Sequence, residues 1–187
     1  FTGDGYLEFQ SSNVNYVDPN IPDMRQDFYN STIDGTSPLI NGGTLYLYEN
    51  NTITADIDNA GTLTVFRHGN TMNGALTTQA GSVLQVEQAG NYNADLTVAN
   101  GFANNGSIFF RGNYANNNRT GTLNITNGDL INASGGEVVV DAIYGIFYLN
   151  AGLDNQGTLA VNTRGFNINS GTGSIATNGT ISVATNL

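Results

Sequence analysis

One short wording keeps returning along this chain: glycine, threonine or serine, an apolar residue, any residue, and a second apolar residue. It is spelled Gly43-Thr44-Leu45-Tyr46-Leu47, Gly61-Thr62-Leu63-Thr64-Val65, Gly106-Ser107-Ile108-Phe109-Phe110, Gly121-Thr122-Leu123-Asn124-Ile125, Gly157-Thr158-Leu159-Ala160-Val161 and Gly179-Thr180-Ile181-Ser182-Val183, with looser copies at Gly81 and Gly136. Apolar residues alternate with others inside each copy, which is the period of an extended strand buried on one side. Leu45 and Leu47, Leu63 and Val65, and their counterparts in the other copies therefore point into a core. A further apolar residue usually stands four positions before the glycine, at Ile57, Phe102, Leu153 and Ile175. Glycine and β-branched residues at this density break any 3.6-residue period, which argues against helix.

Successive glycines of the wording lie 18, 20, 25, 15, 15, 21 and 22 residues apart. Steps near twenty fit one coil of a β-solenoid, two or three short strands joined by corners. The two short steps around Gly121 fit a single longer coil that carries the wording twice. The sequence thus predicts an all-β fold, a parallel β-helix of about six or seven coils. Corners call for residues that tolerate positive φ, and Asn-Gly offers them at Asn41-Gly42, Asn73-Gly74, Asn100-Gly101, Asn105-Gly106, Asn127-Gly128 and Asn178-Gly179. Asn-Gly is also a hairpin signal, so an antiparallel sandwich or barrel is the competing arrangement. Wording repeated in one sense favours the solenoid.

Residues 1–42 contain no copy of the wording and hold all three prolines, Pro19, Pro22 and Pro38, with six of the fifteen acids. They are expected to form a non-repeating N-terminal cap or a segment that pairs with a partner molecule, leaving the solenoid to residues 43–187. Gly5 to Gln10 alternates like a strand, and Asp23 to Tyr29 is expected to make a helical turn or two. The chain starts at Phe1 and stops just after a copy of the wording, which suggests a processed or excised piece of a longer array.

Charged residues are only 11% of the chain, with a formal net charge of -10, so amides and hydroxyls must carry much of its solvation. Lysine is absent, and the five arginines, Arg25, Arg67, Arg111, Arg119 and Arg164, are too scattered to track a phosphate backbone. Nucleic acid is excluded as a partner on that ground. Cysteine is absent, which removes disulfides and thiolate metal sites. No apolar run long enough to span a membrane as a helix is present, so no membrane insertion by this segment is expected.

The copies Ile57-Asp58-Asn59-Ala60-Gly61-Thr62-Leu63-Thr64-Val65, Leu153 to Val161 and Ile175 to Val183 resemble repeats of bacterial autotransporter passengers and filamentous-haemagglutinin-like adhesins. The resemblance covers about residues 43–187. It implies a right-handed parallel β-helix, a secreted or surface-displayed protein, and roles in adhesion, cell contact or matrix building. The sequence contains no Arg-Gly-Asp tripeptide.

Parallel β-helices also carry polysaccharide-cleaving sites, which gather carboxylates and a base on one outer face. Asp56 and Asp58 flank an inward Ile57 and read as corner residues, and the only histidine, His68, sits in a loop sequence. No catalytic residue and no metal ligand set is assigned, and the chain is read as a non-enzyme. Calcium is the one conceivable cofactor, with Asp4, Asp18, Asp23, Asp27 and Asp34 as oxygen donors. Outward strand positions place Tyr46, Tyr48, Phe66 and Phe109 on early coils, where aligned rings form an aromatic patch for a sugar or a protein unless the segment before Gly43 covers it. A flat Thr-x-Thr ladder of the ice-binding kind appears in the main copies only at Thr62-Leu63-Thr64. Asn-x-Ser/Thr sites stand at Asn30, Asn50, Asn105, Asn118, Asn124, Asn132 and Asn178.

The function expected from these features is that of an extracellular structural or adhesive module, making multivalent contact with surface glycans, proteins or other copies of itself. The alternatives are a subunit of an extracellular fibre built by end-to-end coil stacking, and a polysaccharide-active enzyme or carbohydrate-binding module.

Overall fold

A computed structural model describes residues 5–21, 23–112, 119–162 and 165–184. Asp4, Asn118 and Arg164 lie outside the described residues. Every strand pairing among the described residues is parallel, and none of these residues is helical. The copies of the wording all run in the same direction, so the chain is a β-solenoid and not an antiparallel sandwich. It makes about eight turns, slightly more than the six or seven expected.

Three walls enclose the core. The first is a nine-stranded sheet: Tyr6–Gln10, Arg25–Tyr29, Thr44–Leu47, Thr62–Val65, Val83–Gln88, Ser107–Gly112, Glu137–Ala142, Thr158–Val161 and Thr180–Val183. The second and third walls belong to one sheet of thirteen strands, with short strands such as Thr32–Gly35 in the second and Leu39–Asn41 in the third. In three successive coils a single long strand, Ala94–Asn104, Thr120–Asn132 or Ile146–Asn155, crosses both walls, and the next coil returns to two short strands, Phe166–Ile168 and Ile175–Thr177.

The two apolar letters of the wording become two columns on the inside of the first wall. One runs Leu7, Gln26, Leu45, Leu63, Leu84, Ile108, Val138, Leu159, Ile181, and the other Phe9, Phe28, Leu47, Val65, Val86, Phe110, Val140, Val161, Val183. Leu45 to Val140 in these columns are at most 1% exposed, and burial of each such side chain contributes about 1.5–3 kcal/mol. Gln26 breaks the first column. Its amide oxygen accepts the hydroxyl of Tyr16 inside the tube, and burial pushes that phenol up to about 12.

The described strands from Tyr6–Gln10 to Leu39–Asn41 pair in the same register as the rest, so the wording starts at Gly43 but the coils do not. The expected helical turn at Asp23 to Tyr29 is instead the strand Arg25–Tyr29, held between Tyr6–Gln10 and Thr44–Leu47. Nor does this segment lie over the outward face of later coils; it is stacked beside them. The copy at Gly121 falls on the second wall, in register with Ala94 and Phe147, which confirms one long coil between Gly106 and Gly136 that carries the wording twice. A Cβ on Gly121 would strike the ring of Phe147, so this glycine is required to seat an aromatic in the core.

The corner chemistry differs from the expectation. Among the Asn-Gly pairs only Gly128 has a positive φ, whereas the left-handed corner runs up Ser11, Asn30, Asn50 and Gly69. The glycines of the wording are needed because backbones stack too closely for a side chain. A Cβ on Gly61 would collide with the carbonyl of Gly43, one on Gly157 with that of Gly136, and one on Gly179 with that of Gly157.

A buried asparagine stands two residues before Gly43, Gly61, Gly106 and Gly157, and another, Asn132, four before Gly136. Asn41 donates to Asn59 at 2.7 Å, Thr78 to Asn104 at 3.0 Å, Asn104 to Asn132 at 2.9 Å, and Asn132 to Asn155 at 2.8 Å. The same amides bond the backbone of the next strand, as Asn132 does to the carbonyl of Thr158 at 3.0 Å. All five asparagines are 0% exposed. The sequon at Asn132 is therefore a ladder rung and not a surface site.

Candidate functional site

The outward side chains of the first wall's early coils form a continuous aromatic ladder. Tyr29 stacks on Tyr48 with centroids 4.2 Å apart, Tyr48 on Phe66 at 5.3 Å, and Tyr46 on Phe66 at 5.1 Å. These separations match the spacing of neighbouring strands, about 4.8 Å, so the rings pile along the solenoid axis. Both faces of Tyr48 are covered, one by Tyr29 and one by Phe66. A sugar ring finds no free face there.

Arginines lock the ladder at its margins. Arg25 gives two hydrogen bonds of 2.7 Å to Asp27 and one of 3.1 Å to the hydroxyl of Tyr48, while its guanidinium lies 4.4 Å from the centre of Tyr46. The bond to Asp27 raises the guanidinium pKa further, so Arg25 stays charged. Arg67 lies over Tyr92 at 4.1 Å and pairs with Glu49 at 3.4 Å. Asp27 and Thr64 face outward by register yet are only 2% exposed, because this layer covers them.

Three of the four predicted patch residues, Tyr46, Tyr48 and Phe66, thus come together. Phe109 stands apart, with Arg111 over its ring at 4.2 Å. Sequence reading missed Tyr29, Arg25 and Tyr92 as members. The signal for Tyr29 was the alternation of Arg25-Gln26-Asp27-Phe28-Tyr29, obscured because its first three residues are polar or charged.

A second outward feature occupies the second wall. Asn13, Thr32, Thr52, Thr71, Thr97, Asn124, Asn150 and Asn169 stand in one column, one residue per coil. Asn169 donates to Asn150 at 2.7 Å, Asn150 to Asn124 at 2.6 Å, and Asn124 to Thr97 at 3.3 Å. The hydroxyls of Thr32, Thr52 and Thr71 bond no described residue. Of this column only Asn124 falls within a copy of the wording, and the strands that carry its early members are only two to four residues long.

No protein-family model, curated protein or solved structure matches this chain. What the molecule does must be read from its own walls.

The acids considered for calcium are dispersed. Asp18 accepts the backbone and side-chain amides of Asn20 at 2.9 Å, which holds its carboxyl below the usual range; Asp27 is taken by Arg25; Asp34 accepts the amide of Gly35 at 2.8 Å; and Asp23 lies against Gly42. Among the described residues no group of three or more His, Asp or Glu side chains is placed to hold a metal ion. Asp56 serves a corner, accepting the amide of Ala75 at 2.7 Å, whereas Asp58, expected at a corner, stands in the third-wall strand Ile57–Asn59 and accepts the side-chain amide of Gln79 at 2.7 Å. His68 is exposed at the corner after Phe66, its carbonyl accepting the amide of Asn50 at 3.0 Å.

Glu87 follows Phe66 along the first wall, in register with Arg111. Partial burial pushes its carboxyl above the usual glutamate range, against the opposing pull of Gln85 and Arg111. A carboxyl raised by folding contributes stability below its unfolded pKa and loses it as pH rises through the folded value. Glu87→Gln is therefore expected to melt higher than the parent at neutral pH, with the gap closing below about pH 4. Thermal melts of both proteins across pH check this; a gap that widens in acid overturns it.

Proposed function

We propose that this chain is an extracellular structural and adhesive module, a stiff β-solenoid that makes surface contact through many weak polar groups presented once per coil. The observation that carries the reading is the eight-residue column of asparagine and threonine on the second wall. Its members recur about every 4.8 Å along a rigid axis. Each hydrogen bond to a partner is worth only about 0.5–1.5 kcal/mol net, so binding strength comes from engaging several at once. Amides and hydroxyls suit surface glycans and proteins as partners, since both present mixed donors and acceptors. No residue is assigned a catalytic role.

The test is retention under flow. Beads carrying the whole chain are passed over a panel of immobilised glycans and matrix proteins, with albumin as background. Retention on at least one member is expected, and the combined Thr52→Ala, Thr71→Ala and Thr97→Ala variant, checked for unchanged folding, should lose roughly tenfold or more of it. Retention at the albumin level across the panel, or equal retention by the variant, sinks the reading.

A further inference from the structure

The corner between the second and third walls opens into two adjoining hollows in the later coils, each of about 540 Å³. They share Gly128 and Asp129 and together form one groove along the solenoid axis. The groove arises from the long coil. The strand Thr120–Asn132 loses register with Ile146–Asn155 between Asn124 and Asp129, and the extra residues, among them Asn127-Gly128, push the corner outward.

The lining is of two kinds. On the side of the second wall stand the amides and hydroxyls of Thr126, Asn150, Asn169, Ser170 and Thr172. On the side of the third wall stand Phe102, Ala103 and Ile131, with Asp154 at the margin. Between them lies Asp129. Its carboxylate rests against bare backbone, since a Cβ on Gly152 would collide with it and one on Gly173 would come within 2.7 Å. It makes no hydrogen bond or ion pair to any described residue, unlike Asp18, Asp27, Asp34, Asp56 and Asp58.

We propose that this groove binds a stretch of neutral polysaccharide lying along the axis, with Asp129 accepting adjacent hydroxyls of one sugar. This rests on the surface-contact reading above and names a ligand class for it. The chemistry selects the ligand in three steps. A free carboxylate accepts two hydrogen bonds side by side, and charge makes such bonds about twice as strong as neutral ones. Amides and hydroxyls both donate and accept, which matches sugar hydroxyls without demanding a particular charge. Among the described residues the groove lining includes the carboxylates of Asp129 and Asp154 and no arginine, so an acidic polymer such as a polyuronate would be repelled. The backbone floor lets a ring approach closely, and the apolar third-wall side can receive its carbon face. From Gly101 through Gly128 and Gly152 to Gly173 the floor spans four coils, about 15 Å, the length of a short oligosaccharide.

The experiment titrates the whole chain, by calorimetry and by amide chemical shifts, with tetrasaccharides of neutral gluco-, manno- and galacto-configured sugars, a uronic acid tetramer and an amino-sugar tetramer. Binding of at least one neutral tetramer in the millimolar range or tighter is expected, with shifts at Thr126, Gly152 and Ser170. Asp129→Asn keeps the shape of the side chain and should weaken binding roughly tenfold or more, as should Asn150→Ala, while Asp141→Asn on the first wall leaves it unchanged. No binding of any neutral tetramer, equal binding by Asp129→Asn, or preference for the uronic or amino sugar overturns the proposal. Beads that still adhere under flow while no tetramer binds would remove the groove alone; loss of adhesion with tetramer binding intact would remove the wall-two column and keep the groove.

Discussion

Gly106→Ala is expected to cost about 3 kcal/mol, the upper end of what overpacking a tight site does, and to lower the melting temperature by roughly 6–12 °C. The added Cβ would collide with the carbonyl of Ser82 and come within 2.7 Å of both the carbonyl of Gln79 and the hydroxyl of Ser82. Two of those three atoms are backbone, so no rotamer change relieves the clash. The coils must move apart, and the stacking that defines the solenoid prevents it. Gly81→Ala is the control. Gly81 has a φ of +83° and nothing within 4 Å of its Cβ position, so alanine there meets only the left-handed penalty, about 1–2 kcal/mol. Chemical denaturation of the two variants separates the mechanisms: a Gly81 variant as unstable as the Gly106 variant would show that conformation, not close approach, makes the glycine of the wording necessary.

Asn132→Leu carries the second large effect. Its side chain accepts from Asn104 at 2.9 Å and donates to Asn155 at 2.8 Å and to the carbonyl of Thr158 at 3.0 Å, all without access to water. Leucine has nearly the same bulk and none of these bonds. Each buried group deprived of its partner costs about 1–3 kcal/mol, so a loss of about 2–4 kcal/mol is expected, offset little by the gain in apolar surface. Asn150→Ala, in the outward ladder where water can replace the lost bonds, should cost under about 0.5 kcal/mol. Equilibrium unfolding and amide exchange check the pair. Exchange should quicken first at Asn104, Asn155 and the neighbouring coils, because a solenoid loosens locally before it unfolds. A leucine variant as stable as the parent would mean that the buried amides set register without contributing stability.

The aromatic ladder and the polar column divide the outer surface between them. Tyr48 and its neighbours spend their faces on one another and on arginine, which stiffens the first wall where it begins. On the second wall the hydroxyls of Thr32, Thr52 and Thr71 bond no described residue. The proposed surface contact would draw on both: stiffness holds successive groups at fixed spacing, and fixed spacing lets weak contacts act together.

Parallel coils were legible in the residues themselves. Apolar alternation after each glycine names the inward columns, and the recurrence of one wording in one sense specifies stacking, because identical neighbours bury one another. The doubled copy at Gly106 and Gly121 was readable as one long coil from spacing alone. Other features depended on neighbours distant in sequence. Arg25–Tyr29 has no strand-forming excess of its own and becomes a strand because Tyr6–Gln10 and Thr44–Leu47 pair with it on either side. Asn59, Asn104 and Asn132 look like turn residues until the coils above and below turn them into a ladder, since a side-chain amide is worth burying only where the next coil supplies its partner. The outward column from Asn13 to Asn169 and the groove around Asp129 exist only in register: residues tens of positions apart share a face because eight turns of chain superimpose, and that superposition is a property of the packed tube rather than of any one segment.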